Sequence, residues 1–320
     1  MFVVGFDIGG TKSAVLIADV HDSKIDFLSR IQIKTENSWQ WVLNELCAIY
    51  QRECKLLKID TKDVVACGVS CGGPLDSEKG IICSPPNLPE WKEVHIVKYL
   101  EEKLSIPVKL MNDADACAVA EWKYGAGIGK KNIIFLTFGT GLGAGLILNG
   151  ALYTGTNNLA GEVGHIRLEK NGPFGHNKKG SFEGFCSGAG IKQIAQNFAL
   201  KNLSKGISVS FCDDLNNLDR ITAKDVIQCA EHGAEDAILL LKETGKYFGR
   251  GLAILVDVLN PEMIIAGSIF TRAYKFLYEA TLEVLKQEAL TDSMNVCQLV
   301  PSKLGEKIGD YATIVSALRY

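Results

Sequence analysis

Residues 6–12, Phe6-Asp7-Ile8-Gly9-Gly10-Thr11-Lys12, constrain the fold more than any other stretch of this chain. An apolar strand carrying Val3, Val4 and Phe6 runs into a carboxylate, two glycines, a hydroxyl and an ammonium. Residues 13–19 then read as a second strand. Glycines at a tight strand-to-strand turn remove the Cβ atoms that would keep a bulky anion from the backbone. Thr11 and Lys12 can donate to phosphate oxygens, and Asp7 can hold a water of a hydrated Mg²⁺. An ordinary hairpin can also place two glycines in its turn. The flanking Asp7 and Thr11-Lys12 favour phosphate.

At 320 residues the chain exceeds what one core usually accommodates, which predicts two domains. An apolar content of 47% with 22% charged residues is that of a soluble globular protein. A net charge of −3 offers no general attraction to nucleic acid or acidic lipid. The longest apolar stretches, such as residues 133–138 and 251–256, are too short to span a bilayer. The N-terminus opens on a strand that already holds Asp7, without the basic and apolar regions of a signal peptide. Ten cysteines without pairing rhythm or a Cys-x-x-Cys pair favour a reducing cytoplasm. The expectation is a cytoplasmic protein with no membrane and no nucleic-acid partner.

Beyond the first hairpin, residues 27–34 read as a third strand. Residues 38–57 show helical spacing through Trp41, Leu43, Leu46, Ile49 and Tyr50, with Asn37 or Ser38 as cap. A β-branched run over 64–70 ends at Gly72-Gly73-Pro74, and a Pro-rich loop occupies 84–91. A helix over 93–104 leads to the strand 108–111, which delivers Asn112-Asp113 at its C-terminal end, where ligands gather in open α/β sheets. The helix 114–124 stops at Gly125-Ala126-Gly127-Ile128-Gly129. A second hairpin follows: strand 133–138, the turn Gly139-Thr140-Gly141-Leu142-Gly143, and strand 144–148. It echoes the first, and two such half-molecules would clamp a nucleotide; a chance likeness of two hairpins is the other reading. Helices over 189–200, 222–231, 235–255, 271–288 and 309–318, with strands over 263–266 and 296–300, predict an α/β fold whose last helix packs back on the first domain.

Neither a Walker A loop nor a G-x-G-x-x-G motif occurs. Asp113 can accept the proton of an attacking substrate hydroxyl. It and Asn112 equally suit the N-cap of the helix that follows, and both roles can hold at once. Glu162-Val163-Gly164-His165 and Glu183 suit hydrogen bonds to several sugar hydroxyls. Paired glycosidase carboxylates, or a metal on His165 and His176, are the competing readings.

Together these pieces resemble the ROK family (repressor, open reading frame, kinase) of sugar kinases, within the actin-like ATPase superfamily. The carriers are Asp7 to Lys12, Gly72-Gly73-Pro74-Leu75, Pro86-Asn87-Leu88 with Trp91, Asn112-Asp113-Ala114, Gly139 to Gly143, Gly161 to His165, and Glu183 with Ser187-Gly188. The resemblance implies a two-domain actin-like (ribonuclease H-like) α/β fold with a nucleotide and sugar cleft between the domains. The expected domains are 1–113 plus 306–320, and 114–305. It further implies that Asp7, Gly9, Gly10, Thr11, Lys12, Gly139, Thr140, Gly141 and Gly143 hold the ATP phosphates with Mg²⁺, and that Gly267 lies near the adenosine. Asn87, Asn112, Glu162, His165 and Glu183 would bind sugar hydroxyls, and Asp113 would be the base.

The family usually carries Cys-x-Cys-Gly-x-x-Gly-Cys-x-Glu after its Glu-x-Gly-His, as a zinc motif. Here Phe174, His176 and Ser181 stand where the three thiolates would be, so structural zinc is not expected. His165 would then be held by hydrogen bonds or by packing of Phe174. The expected activity is phosphoryl transfer from ATP to a hydroxyl, foremost the 6-hydroxyl, of a hexose or an N-acylated hexosamine, by a homodimer. A sugar-sensing regulator is the alternative, although the chain begins directly with the kinase strand and carries no basic arm. A glycosidase is third.

Overall fold

The structure, a computed structural model, describes residues 1–318; Arg319 and Tyr320, the end of the expected 306–320 segment, lie outside the described residues. Two compact units are present. The first comprises residues 1–131 and 145–160 with the chain from 306 on, and the second comprises 132–144 and 161–305. Compared with the expected bounds, the first unit also takes in residues 145–160 and residues 114–131, the latter including the helix that begins at Asp113. That helix packs on the C-terminal helix Ile308–Val315, with the rings of Tyr124 and Tyr311 5.8 Å apart.

The first unit runs β1 (Phe2–Ile8), β2 (Lys12–Val20), β3 (Ile25–Lys34), α1 (Trp39–Leu57), β4 (Val64–Cys71), β5 (Leu75–Asp76), β6 (Ile81–Ile82), α2 (Ile96–Leu104), β7 (Val108–Asn112) and α3 (Asp113–Tyr124). Its sheet has the order β3-β2-β1-β4-β7. The first three strands are antiparallel, while β4 and β7 continue parallel to β1. Central β1 is an almost continuous buried run, as a strand covered on both faces must be, whereas edge strand β3 alternates between half-buried and exposed.

On one face, Phe6, Val15 and Ile17 form a core with Leu43 and Leu46 of α1 and Ile96 and Leu100 of α2. Ser38 is the cap of α1, its hydroxyl accepting the Trp41 N–H at 3.3 Å. On the other face Gly5 and Gly68 are register partners. A Cβ at Gly5 would stand 2.6 Å from Thr313 Cγ2, and one at Gly68 would stand 2.4 Å from Ser316 Oγ. Two adjacent strands thus lack side chains where the C-terminal segment lies directly on the backbone.

The chain continues through β8 (Ile133–Phe138), β9 (Leu142–Leu148), β10 (Ala151–Leu152), β11 (Phe174–Gly175), β12 (Lys178–Lys179), α4 (Phe182–Phe185), α5 (Gly188–Leu203), α6 (Ala223–Glu231), α7 (Glu235–Leu259), β13 (Met263–Ala266), α8 (Ile269–Arg272), α9 (Tyr274–Glu288), α10 (Thr291–Val296) and β14 (Gln298–Pro301); the division between the units falls inside β9, so β10 counts with the first unit and the other elements with the second. The second sheet is ordered β10-β9-β8-β13-β14, with β13 parallel to both β8 and β14. Thr222 and Asp225 form a reciprocal capping box at the start of α6. The long α7 buries Phe248 against Phe138, Phe182 and Phe270, with ring centroids 5.1, 5.7 and 5.2 Å away. The single helix expected over 271–288 is two, broken at Ala273, and the strand expected to begin at Val296 starts at Gln298 because residues 291–296 are helical.

Gly68→Ala forces a methyl group into the C-terminal segment. It is expected to destabilise the protein by about 1–3 kcal/mol, read as a lowered midpoint in urea unfolding. An unchanged midpoint would show that the segment does not rest on this sheet.

Candidate active site

In the first unit, the C-terminal ends of three parallel strands meet. Ile8 of β1 is beside Cys71 of β4, which is beside Asn112 of β7. The residues just before and after these positions surround a cavity of about 140 Å³ lined by Asp7, Gly9, Gly10, Gly72, Asn87 and Asp113, among others. Asn112 is the N-cap of α3: its Oδ1 accepts the Ala114 N–H at 2.9 Å. Asp113 is the first residue of α3 and exposed, with Oδ1 also accepting from Ala114 N at 2.8 Å. Gly72 and Asp113 line the cavity side by side, and a Cβ at Gly72 would stand 3.7 Å from Asp113 Oδ2, in ordinary contact. Capping and a catalytic position are compatible here.

The turn of the first hairpin is fixed by a residue that sequence inspection did not single out. Gly9 N–H donates to Lys12 O at 3.1 Å, and Thr35 donates its hydroxyl to Gly9 O at 2.7 Å and its N–H to Thr11 O at 3.0 Å. Ser13 and Thr35 share a hydrogen bond of 2.8 Å between their hydroxyls. Thr11 and Lys12 are exposed. Asn87 is exposed on a loop anchored by the buried Leu88 and Trp91, and Gly10 lies so close that a Cβ there would stand 2.5 Å from Asn87 Cβ. Burial pushes the Asp7 carboxyl up to about 6 against the pull of the Arg30 guanidinium, and the like charges of Asp113 and Asp310 add to the rise. Arg30 itself is paired with Asp310 at 2.7 Å. Burial, with Asp113 and Asp7 nearby, drives the Cys71 and Cys117 thiols far up, so both stay protonated.

In the second unit, β8 repeats the burial pattern of β1, with Thr137 where the first hairpin has Asp7. Gly139 N–H donates to Gly141 O at 3.0 Å, and Gly143 N–H donates to Thr137 Oγ1 at 3.1 Å. The first amides of α5 donate to the turn as well: Gly188 N–H to Gly139 O at 2.7 Å and Ala189 N–H to Thr140 O at 3.3 Å. Ser187 caps that helix through Gly190 N–H at 2.9 Å. Gly139 and Thr140 open onto a cavity of about 1120 Å³, which Lys192, Lys224, Glu231 and Arg272 also line. Ser268, at φ 55°, and Ile269 line it too, immediately after Gly267. A glycine turn, a 16-residue helix starting beside it and three cationic side chains suit a bound polyphosphate.

Glu162 and His165 are exposed and 4.0 Å apart between Oε2 and Nε2. Glu183 lies on α4, and its Oε2 accepts the Leu142 N–H at 3.0 Å. The sequence of the ROK family matches residues 3–313. The chain belongs to the ROK family. It is 28% identical to a glucokinase of Thermotoga maritima over 96% of this chain and 94% of that protein. A solved structure of a ROK glucokinase from Streptomyces griseus, in complex with glucose and AMPPNP, superposes with a TM-score of 0.80 at 26% identity, covering 99% of each chain. The same similarity reaches a xylose repressor of Caldicellulosiruptor bescii, 26% identical over 98% of this chain and 78% of that protein. The two-domain α/β fold is therefore that of the actin-like ROK proteins.

Against the zinc motif of the ROK family, the donor set here does not fit. It offers two imidazoles, a phenyl ring and a hydroxyl, and Ser181 Oγ is buried and accepts the Gly184 N–H at 3.1 Å. Phe174, one of the supports expected for His165, is half exposed and lies beside Lys179. The ring of His176 stands edge-on to that of His165, with centroids 4.6 Å apart. The β11–β12 hairpin turns through His176 and Asn177, at φ 49° and 62°, residue types that tolerate this backbone region. Lys178 Nζ adds a hydrogen bond to the His165 carbonyl at 2.6 Å. Mg²⁺ fits better. Asp7 is a carboxyl raised chiefly by burial, with the like charges of Asp113 and Asp310 adding to the rise, and a hydrated dication beside it would favour its ionised form.

Because Asp7 is raised in the folded state above its ordinary 3.8, the folded chain holds that proton more tightly. Its favourable contribution is complete below pH 3.8 and is lost as pH rises through about 6. Wild-type stability relative to Asp7→Asn is expected to fall between pH 4.5 and 7.5 by on the order of 2–3 kcal/mol, measured by urea unfolding at each pH. Parallel stability curves for the two proteins would contradict the assignment.

Proposed function

We propose that this ROK chain is an ATP-dependent sugar kinase. It transfers the γ-phosphate to a hydroxyl, foremost the 6-hydroxyl, of a hexose such as glucose or of an N-acylated hexosamine. The observation that carries the reading is one small cavity that holds Asp7, Asn87 and Asp113 together at the ends of parallel strands. A loose phosphoryl transfer asks mainly for an oriented hydroxyl, a proton acceptor and neutralised phosphate charge. Asp113 takes the hydroxyl proton. Asn87, Asn112, Glu162, His165 and Glu183 are the proposed ligands of the sugar hydroxyls.

The glycine turn Gly139–Gly143, the start of α5 and the cations Lys192, Lys224 and Arg272 hold the triphosphate. When bound, Mg²⁺ supplies charge neutralisation at the phosphates, with Asp7 holding one of its waters and Gly9, Gly10, Thr11 and Lys12 facing the phosphates. Similarity to glucokinases over nearly the full chain supports this reading. A regulatory role, supported by the likeness to xylose repressors, would leave the Asp7–Asp113 cavity without a purpose. We further propose a cytoplasmic homodimer as the working form.

The test is ADP release by the purified protein with Mg-ATP across glucose, mannose, fructose, allose, glucosamine and N-acetylated hexosamines. At least one sugar is expected to raise release well above background. Asp113→Asn is expected to lower that turnover by at least ~10²-fold while sugar binding persists. No sugar-dependent release would overturn the kinase reading, and near-normal turnover by Asp113→Asn would remove its role as base.

A further inference from the structure

We propose that Glu183 is a positioning residue for the nucleotide's phosphates as well as a ligand for the sugar. The inference deepens the kinase reading and rests on it for the identity of the two ligands. Its geometry lies wholly within the second unit. The Leu142 N–H belongs to the turn Gly139–Gly143, and the acceptor that holds it is Glu183 Oε2, 41 residues away in sequence, at 3.0 Å. A Cβ at Gly141 would stand 2.7 Å from the same oxygen, so the turn must carry a glycine there for the carboxylate to reach it.

Glu183 is itself held in place. Ser181 caps α4 through Gly184 N–H at 3.1 Å, and Phe182 N–H donates to Ile166 O at 2.7 Å. Gly164, between Glu162 and His165, closes the arrangement: a Cβ there would stand 2.3 Å from Leu142 O and 3.2 Å from Glu183 Cβ. The segment bearing Glu162 and His165, the carboxylate of Glu183 and the phosphate turn are therefore one packed block. A carboxylate has room for about four acceptor contacts. Holding the Leu142 N–H thus leaves Glu183 able to accept a sugar hydroxyl, and one side chain serves both substrates.

The two duties separate by substitution. In Glu183→Gln the amide oxygen still accepts from Leu142, whereas the negative charge that favours a sugar hydroxyl is gone. In Glu183→Ala both are lost. The probe is Mg-AMPPNP without sugar, titrated calorimetrically into wild type, Glu183→Gln, Glu183→Ala, Gly141→Ala and the Gly141→Ala/Glu183→Ala double variant. Thermal melts confirm that each protein is folded.

Glu183→Gln is expected to bind within about twofold of wild type, and Glu183→Ala about tenfold more weakly, the loss of one charge-assisted hydrogen bond. Gly141→Ala should weaken binding too, and the double variant should be no weaker than the weaker single one, because both disrupt one contact. In turnover, both Glu183 variants should raise the sugar KM at least tenfold, and only Glu183→Ala should raise the ATP KM. Wild-type affinity in Glu183→Ala, or equal weakening in Gln and Ala, overturns the inference. A wild-type protein that binds Mg-AMPPNP but phosphorylates no sugar overturns the kinase reading instead, and the Gln–Ala contrast still judges the positioning role.

Discussion

In the second unit, three segments that carry candidate site residues converge on one ring, that of Phe248. Phe138 precedes Gly139 of the phosphate turn, Phe182 precedes Glu183, and Phe270 follows Ser268 and Ile269 at the large cavity. Each of these rings lies fully buried against Phe248 or its neighbours. Aromatic contacts at 5–6 Å are worth something beyond their buried area, and close packing leaves such rings little room to shift. The polar residues beside them inherit that fixity. The residues proposed to hold phosphate and sugar are thus set one or two positions along the chain from core aromatics.

The first unit solves a different problem, that of keeping two carboxylates close. Asp7 and Asp113 line the same cavity, and Asp7 is buried enough to resist ionisation until about pH 6. Arg30 moderates the crowding while being paired with Asp310 of the C-terminal helix. That helix can lie where it does because Gly5 and Gly68 leave the sheet bare beneath it. Docking of the helix Ile308–Val315 and the electrostatics of the first strand are thus coupled. A buried carboxyl with a second carboxylate beside it is an arrangement that a bound cation would favour.

Both glycine hairpins, most helices and the placement of Asn112-Asp113 at a strand end were legible in the sequence, because each is written in consecutive residues. Ser38 and Thr222 announce helix starts through local capping chemistry. The braces were not legible. Thr35 meets Gly9 across 26 residues and Glu183 meets Leu142 across 41, and neither pair has a periodic or spacing signature. The stacking of Gly5 on Gly68 needs the parallel register of β1 and β4 before it has meaning. Lys192, Lys224 and Arg272 were invisible for the same reason: single cations on three helices, gathered only by topology. The substitution of His176 for a thiolate was plain in the sequence, whereas its ring contact with His165 depended on a hairpin turn that propensity alone does not specify.

The fate of the γ-phosphate decides the account most directly. Phosphorus NMR of the purified chain incubated with Mg-ATP and each hexose in turn follows that group without coupling enzymes. The account predicts a new phosphomonoester resonance that grows with ADP only when a sugar is present. It also predicts that this signal vanishes in Asp113→Asn. Sugar binding with ATP left intact, or ATP cleaved to inorganic phosphate without a sugar ester, would contradict it.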